Sequence, residues 1–288
     1  MRTNALNIYY EGKTRGIKMK KFLLVLTTML FAIVALAGCG ANDKQASQGK
    51  VIKVGATSVP HAEILEQVKE DLQKDGIKLE IVEYSDYVQP NLNLNDKELD
   101  ANYFQHIPYL EDFVKQHPEV KLVNAGGIHI EPMGIYSKKV KNLKDLKDGA
   151  NVSIPNDPTN GGRALALLAK AGLITLKDGV GISATVHDVV GNPKNIKFQE
   201  LEPAQVPRTL DDVDAAVINS NFAMQVKLNP VKDNIFIEDA SSPYVNIVAV
   251  RAGDENRPEI QALLKALKSE KVKKFINEKY AGAVVPAF

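Results

Sequence analysis

Short apolar segments alternate with longer amphipathic segments along the chain from Val51 onward. The short segments are rich in β-branched residues and end at glycine, proline or charged residues, which predicts strands. The longer segments place apolar residues three and four positions apart, which predicts helices. The predicted strands are 51–56, 78–84, 99–104, 151–154, 198–201, 214–218 and 245–250, and the predicted helices are 61–74, 108–117, 159–170, 257–267 and 271–280. This alternation indicates an α/β fold with largely parallel sheets.

Two sets of these elements are separated by one long extended segment, 121–136. We interpret this segment as a connection between two lobes, and strand 245–250 as a return crossing. Ligands of open α/β sheets bind beyond the carboxyl ends of the strands, so the cleft between two such lobes is the expected binding site. The predicted lobes are residues 51–133 plus 246–288 for the first and residues 134–245 for the second.

A secretory signal precedes the globular part of the chain. Lys20 and Lys21 are followed by a mostly apolar run, 22–37, and by small residues ahead of Cys39, which is the pattern of a signal peptide. The string Leu-Ala-Gly-Cys resembles the lipobox of bacterial lipoproteins, in which the cysteine sulfur is acylated. This favours a lipid anchor over a buried thiol and predicts a protein held on the extracytoplasmic face of the cell membrane.

The boundaries of this N-terminal region follow from the same pattern. Met19 is the natural start of the signal, so residues 1–18 either lie upstream of the true start or form an extension. We assign residues 1–38 to the signal peptide and residues 39–50 to the lipidated cysteine and a polar, flexible tether.

Charge and cysteine content exclude several classes of protein. Removing the 38 residues ahead of Cys39 takes six basic residues from 36 and one acidic residue from 35, which leaves 30 basic and 34 acidic residues. A chain of this weakly acidic balance is not expected to bind nucleic acid. No Gly-x-Ser-x-Gly elbow and no His-Glu-x-x-His helix occurs, which argues against an enzyme. The five histidines are 61, 106, 117, 129 and 187, and none are spaced as metal ligands on one helix, so no metal or other cofactor is expected.

Aromatic side chains lie where predicted strands of the first set end. Tyr87 follows strand 78–84, Phe104 and His106 end the next strand, and Tyr109 lies at the start of the following helix. Aromatic rings suit an apolar ligand tail, and a thioether sulfur packs well against ring edges. Taken alone, Phe104 is better explained as part of the core. His106 could donate a hydrogen bond to the ligand or to a neighbour, and its position alone favours a loop histidine bonded to a neighbour.

Polar side chains lie at the corresponding positions of the second set. Arg163 falls in the first turn of a helix that Thr159 or Asn160 caps, and its planar guanidinium matches a carboxylate. The alternative is an ion pair with Asp157 or another acid. Asn219 follows the predicted strand 214–218, and Asn246 lies in the predicted strand 245–250. Both could bind the carboxylate or the ammonium of a ligand, although asparagine is more common as a turn or cap residue. Together these residues favour an amphiphilic zwitterion as the ligand.

Five strings change this picture by their order as well as their content. They are DYVQPN from residue 86, DANYFQH from residue 100, PNDPTNGGR from residue 155, AVIN from residue 216 and SPYVN from residue 242. Together with the lipobox they resemble the signature stretches of the NlpA-type, methionine-binding lipoprotein family, over nearly all of residues 51–288. Two departures from the family pattern are Tyr103 and the pair Gly161-Gly162, which is expected to add backbone freedom near Arg163.

The resemblance implies a periplasmic-binding-protein-like fold of type II, with two α/β lobes and the ligand between them. It further implies a monomer, without enzymatic activity, that captures methionine and passes it to the permease and ATPase of an ABC importer. When the family's motifs are matched to this sequence, the resemblance implies that four residues surround the ligand side chain and that three bind its carboxylate and amino-acid backbone. The four are Tyr87, Phe104, His106 and Tyr109, and the three are Arg163, Asn219 and Asn246.

Other ligands and other classes remain open at this stage. L-methionine is the first expectation, and D-methionine or a methionine-containing dipeptide is the alternative within the same class. A metal-binding lipoprotein would require histidines brought together by the fold. A structural lipoprotein or adhesin would not need arginine, amides and aromatic rings at strand ends facing one cleft.

Overall fold

The computed structural model describes residues 50–239 and 243–288. The predicted signal peptide, Cys39 and the tether up to residue 49 lie outside the described residues. In the part of the chain that is described, no helix is both long enough and apolar enough to span a membrane.

Strands and helices alternate along the chain, as the sequence pattern predicts. The strands of the described residues are β1 Lys50–Thr57, β2 Ile77–Tyr84, β3 Ala101–His106, β4 Leu122–Ile130, β5 Gly134–Tyr136, β6 Asn151–Pro155, β7 Thr175–Leu176, β8 Val189–Gly191, β9 Lys197–Leu201, β10 Ala215–Ile218, β11 Asn234–Ile237, β12 Val245–Arg251 and β13 Val285–Pro286. The helices are α1 Glu63–Glu66, α2 Lys69–Lys74, α3 Gln89–Asn95, α4 Ile107–Gln116, α5 Pro158–Lys170, α6 Ser220–Gln225, α7 Pro258–Leu267 and α8 Glu270–Tyr280. Single helical turns lie at Ser58–Ala62, Leu143–Asp145, Gly181–Ser183, Val186–Asp188 and Val206–Thr209.

Two mixed sheets contain most of the strands. The first has the order β2-β1-β3-β12-β4-β13, in which β1 is parallel to β2 and β3, whereas β12 is antiparallel to β3 and β4. The second has the order β9-β6-β10-β5-β11, in which β6 is parallel to β9 and β10, whereas β5 is antiparallel to β10 and β11. The prediction of largely parallel sheets is therefore wrong, because in each sheet the strand that arrives from the other sheet runs against its neighbours.

Both sheets use one strand order. In the first sheet β2, β1 and β3 are followed by the crossing strand and then by β4, and β13 adds a further edge strand. In the second sheet β9, β6 and β10 are followed by the crossing strand and then by β11. The crossing strand is β12 in the first sheet and β5 in the second. The chain thus passes between the sheets after β4 and again after β11, which confirms the predicted return crossing at 245–250.

Each sheet has an apolar core on both faces. Along β12, Val248 and Val250 pack into one core, which α1, α2, α7 and α8 cover. Ile247 and Ala249 pack into the opposite core under α3 and α4, as the two-residue period of a strand requires. In the second sheet, α5 covers one face and α6 covers the other. Burial of each large aliphatic side chain stabilises the fold by about 1.5–3 kcal/mol.

The extended segment 121–136 is not a connection along its whole length. Residues 122–130 form β4 inside the first sheet and residues 134–136 form β5 inside the second, so only residues 131–133 connect them. A Cβ on Gly126 would lie 2.9 Å from the Leu264 side chain, and one on Gly127 would lie 2.8 Å from the Val245 side chain. These glycines therefore allow Leu264 and Val245 to pack closely against β4.

Three other element boundaries also differ from the predictions. Helix 61–74 is broken into the turn Ser58–Ala62, α1 and α2, and strand 99–104 is shifted two residues toward the C-terminus. The cap of α5 is Asp157, whose side chain accepts the main-chain N–H of Asn160, with proline in the first turn. Thr159 and Asn160 thus lie inside the helix, because Asp157 has extended backbone and its side chain accepts a main-chain N–H of the first turn.

Candidate functional site

One small cavity collects all seven residues that were predicted to bind a ligand. It lies where the C-terminal ends of β3 and β10 meet the N-terminal ends of α4, α5 and α6, and residues of β12 and of the β4–β5 connection complete it. The residues that line it are His61, Tyr87, Phe104, Gln105, His106, Tyr109, Glu131, Asn160, Arg163, Asn219, Ser220, Asn221 and Asn246.

Three aromatic rings form an apolar wall of this cavity. The ring centroids of Tyr87 lie 5.8 Å from Phe104 and 5.7 Å from Tyr109, and those of Phe104 and Tyr109 lie 6.2 Å apart, within the range of favourable aromatic pairs. The Tyr109 hydroxyl donates to the main-chain oxygen of Tyr87 at 3.0 Å. The Tyr87 hydroxyl donates to Asn221 Oδ1 at 2.6 Å. Both phenols are thus held by neighbours, and their rings face the cavity in fixed positions.

His106 is neutral, and both of its ring nitrogens bind neighbours. It caps α4, because Nδ1 accepts the main-chain N–H of Tyr109 at 3.1 Å. Nε2 therefore carries the proton and donates to Asn160 Oδ1 at 3.1 Å. Burial, together with the nearby charge of Arg163, lowers the pKa of His106 to about 3. The sequence left open whether His106 donates to the ligand or to a neighbour, and in the structure it donates to the neighbouring Asn160.

Asp157 fixes the orientation of two amides in the site. Its carboxylate can only accept, and it faces Asn160 Nδ2 at 3.0 and 3.1 Å, so Asn160 Oδ1 must point the other way. That oxygen accepts from Asn219 Nδ2 at 2.7 Å. The Oδ1 atom of Asn219 then has no hydrogen-bond partner within the described ranges, although it is buried. Asn219 therefore presents an acceptor to a ligand.

Asn246 presents the opposite polarity. His61 Nε2 faces two acceptors, Asn246 Oδ1 at 3.0 Å and Glu131 Oε1 at 3.2 Å, so it carries the proton. The Thr57 hydroxyl donates to the other ring nitrogen at 2.7 Å. Because the oxygen of Asn246 is engaged by His61, its Nδ2 group is the part left to donate to a ligand. The unpartnered Nδ2 of Asn221 is a further donor on this cavity.

Arg163 is buried in an ion pair beside the cavity. Its Nε and Nη2 atoms donate to the two carboxylate oxygens of Glu238 at 2.8 and 2.6 Å, and Nη2 also donates to the main-chain oxygen of Glu131 at 2.7 Å. The guanidinium carbon lies 4.1 Å from the ring centroid of Tyr244. The partner is thus Glu238 and not Asp157. Nη1 makes no side-chain or main-chain hydrogen bond to the described residues.

The glycines ahead of Arg163 are required by packing. A Cβ on Gly161 would lie 2.9 Å from the main-chain oxygen of Pro155, and one on Gly162 would lie 2.2 Å from that of Ile182. Both glycines lie inside the regular helix α5. The expectation that this pair adds backbone freedom near Arg163 is therefore wrong, because the two residues bring the helix close to the neighbouring backbone. Tyr103, the other departure, lies outside the cavity lining.

Two of the scattered histidines and one glutamate converge in the fold. The candidate ligand atoms of His61, His129 and Glu131 lie within 4.8 Å of one another, and all three residues are buried. His129 Nε2 lies 2.7 Å from Glu131 Oε1, which is shorter than the separation of about 3.3 Å between two donors on tetrahedral zinc with bonds of about 2.0–2.1 Å. Burial lowers the pKa of His61 to about 4 and that of His129 to about 3. As placed, these groups form a hydrogen-bonded network of neutral imidazoles around one carboxyl group.

A profile of the NlpA lipoprotein family matches residues 52–288 of this sequence. The chain belongs to the NlpA lipoprotein family. The methionine-binding lipoprotein MetQ of Bacillus subtilis is 48% identical over 272 residues, which cover 93% of this chain and 99% of the relative. The D-methionine-binding lipoprotein MetQ of Escherichia coli is 44% identical over 270 residues, which cover 93% of this chain and 98% of the relative.

A solved structure shares the fold of this NlpA-family chain. A nutrient binding protein from Burkholderia cenocepacia bound to methionine is 48% identical and aligns with a TM-score of 0.80, covering 82% of this chain and 100% of that chain. The likeness confirms the predicted periplasmic-binding-protein-like fold with two α/β lobes.

Six residues line this cavity that were not among the seven predicted ligand-binding residues. Asn160 and Asn221 follow the ends of β6 and β10, the positions that the strand-end rule marks, but they were not assigned to the ligand. No sequence pattern used in the analysis pointed to His61, Gln105 or Ser220 as ligand-binding residues. Glu131 lies in the segment that was interpreted as a connection. The six are His61, Gln105, Glu131, Asn160, Ser220 and Asn221.

Proposed function

We propose that this NlpA-family lipoprotein binds methionine in the cavity between its lobes and delivers it to the permease and ATPase of an ABC importer. The proposed lobes are residues 51–133 plus 246–288 and residues 134–245, because the strands of the two sheets divide in this way. The observation that carries the proposal is a single small cavity that joins an aromatic wall to an arginine and oriented amides.

The polarity of the cavity matches the two charged groups of an amino acid. Arg163 Nη1, Asn246 Nδ2 and Asn221 Nδ2 are donors suited to the carboxylate, since charge-assisted hydrogen bonds are the stronger kind. Asn219 Oδ1 is an acceptor suited to the ammonium. The rings of Tyr87, Phe104 and Tyr109, beside His106, would contact the thioether side chain.

Both enantiomers of methionine carry these groups, and the names of the relatives include methionine and D-methionine. L-methionine is our first candidate, and D-methionine or a methionine-containing dipeptide is the alternative. The protein is proposed to act as a monomer, without converting its ligand, so methionine released from it by denaturation should be chemically unchanged by mass spectrometry.

A pair of arginine variants tests the assignment of the carboxylate. Arg163→Ala should weaken methionine binding at least tenfold in calorimetric titration, because hydrogen bonds to charged groups contribute about 1.5–3 kcal/mol. Arg208→Ala, which removes an exposed arginine, is the matched control and should bind as the unmodified chain does. Equal affinity of the two variants would remove Arg163 from the site.

A further inference from the structure

Glu131 is a buried acidic residue on the wall of the ligand cavity. It lies in the short connection between β4 and β5, where the chain first passes from one sheet to the other. Its side chain is 6% exposed and lines the cavity together with Asn219 and Asn246. Its main-chain oxygen accepts from Arg163 Nη2 at 2.7 Å. This residue therefore lies next to the proposed carboxylate position and has a second group, its carboxyl, to offer.

The carboxyl group of Glu131 is held by donors on three sides. His61 Nε2 lies 3.2 Å and His129 Nε2 lies 2.7 Å from Oε1, and the main-chain N–H of Asn221 also donates to the group. The two histidines are fixed in turn by the hydroxyls of Thr57 and Tyr103. An ionised carboxylate offers about four acceptor positions. His61 Nε2 lies closer to Asn246 Oδ1, at 3.0 Å, than to Glu131, so the carboxylate keeps acceptor capacity for a donor that enters the cavity.

The charges around the cavity also call for a cation. Two carboxylates, those of Glu131 and Glu238, share a single guanidinium, because Arg163 forms two hydrogen bonds with Glu238 and its charge also lowers the pKa of Glu131. Glu131 has neutral imidazoles as its nearest partners, because burial holds both histidines well below their ordinary pKa. Burial likewise raises the pKa of Glu131, which expresses the cost of a buried carboxylate without a full counter-charge. A ligand ammonium placed beside it would supply that counter-charge.

We propose that Glu131 pairs with the free α-ammonium of the ligand and so selects free amino acids over ligands whose α-nitrogen is acylated or missing. This inference rests on the proposed function, since it assumes that methionine occupies the cavity. In a peptide such as glycyl-methionine, the methionine nitrogen is an uncharged amide with a single N–H. Such a ligand leaves the Glu131 carboxylate without its counter-charge, and the free amino acid is preferred.

The test compares three ligands on three forms of the full chain in detergent, after bound ligand has been removed by unfolding and refolding. The ligands are L-methionine, glycyl-L-methionine and 4-(methylthio)butanoate, which is methionine without its amino group. The proteins are the unmodified chain, Glu131→Gln and Glu111→Gln, an exposed glutamate on α4 that serves as control. Calorimetric titration gives the affinity of each pair.

The unmodified chain and Glu111→Gln should bind L-methionine more tightly than the other two ligands. Glu131→Gln should weaken L-methionine binding by about 10- to 150-fold, the range for hydrogen bonds to charged groups, and should change the affinity for 4-(methylthio)butanoate by less than about threefold. An equal loss for both ligands would assign Glu131 a structural role and overturn the proposal.

Two further outcomes separate this inference from the proposed function. If Glu131→Gln does not refold, the unmodified chain alone decides, because equal affinity for L-methionine and 4-(methylthio)butanoate would exclude an ammonium partner at Glu131. If the unmodified chain binds neither methionine nor its analogues, the proposed function fails and this inference fails with it.

Discussion

Three buried histidines should make the stability of this protein depend strongly on pH. The pKa of His61 is lowered to about 4, and those of His106 and His129 are lowered to about 3, in each case chiefly by burial. In the unfolded chain each returns to its ordinary value of about 6.5. Between pH 6.5 and about 4 the unfolded state therefore binds up to three more protons than the folded state at these positions, and stability falls as the pH falls.

The size of this effect follows from proton linkage. One proton taken up on unfolding changes the free energy of unfolding by about 1.4 kcal/mol per pH unit. Near pH 5 the three histidines together should give a slope approaching about 4 kcal/mol per pH unit. Glu131 and Asp157, whose pKa values are raised by burial, bind protons earlier in the folded state and reduce the slope at the acidic end of this range.

Urea unfolding at pH 7, 6 and 5 measures this slope. His106→Gln removes one of the three groups and should lower the slope near pH 5 by about a third, while His187→Gln, at an exposed position, should leave it unchanged. A slope that is the same in His106→Gln as in the unmodified chain would refute the assignment of His106 as a buried neutral imidazole.

Three other changes test separate parts of the account. Asp157→Asn keeps an equally good helix cap but no longer fixes the orientation of Asn160. Methionine binding should therefore weaken about 2- to 12-fold, which corresponds to about 0.5–1.5 kcal/mol for one hydrogen bond, while thermal stability stays unchanged. A loss of thermal stability without weaker binding would assign Asp157 to the fold alone. Cys39→Ala should move the protein from the membrane fraction to the soluble fraction after cell lysis; retention in the membrane would contradict the lipid anchor. Excess chelator should leave methionine affinity unchanged, because His61, His129 and Glu131 are hydrogen-bonded to one another; weaker binding after chelation would instead favour a metal site there.

The sequence was most informative where strands end. Phe104 and His106 end β3 of the first sheet and Asn219 follows β10 of the second. Each could be assigned to the cleft from its strand-end position, because ligands bind beyond the carboxyl ends of the strands. Asn246 reached the same cavity because β12 crosses back into the first sheet. These positions depend on local patterns of apolar residues, which a sequence displays directly.

Contacts between distant segments could not be predicted in the same way. Arg163 and Glu238 are 75 residues apart, and they meet only because the end of β11 lies beside the start of α5. The network of His61, His129 and Glu131 was missed because segment 121–136 was interpreted as a connection, whereas its residues 122–130 form β4 inside the first sheet. Such features depend on tertiary packing that residue spacing does not record.

The central claim is that this cavity binds methionine, and a calorimetric titration of the full chain, freed of bound ligand, tests it most directly. The ligands are L-methionine, D-methionine, glycyl-methionine, leucine and glutamine. The account predicts saturable one-to-one binding that is tightest for L-methionine, with leucine and glutamine much weaker. Tighter binding of leucine or glutamine, or no binding of any methionine ligand, would contradict it.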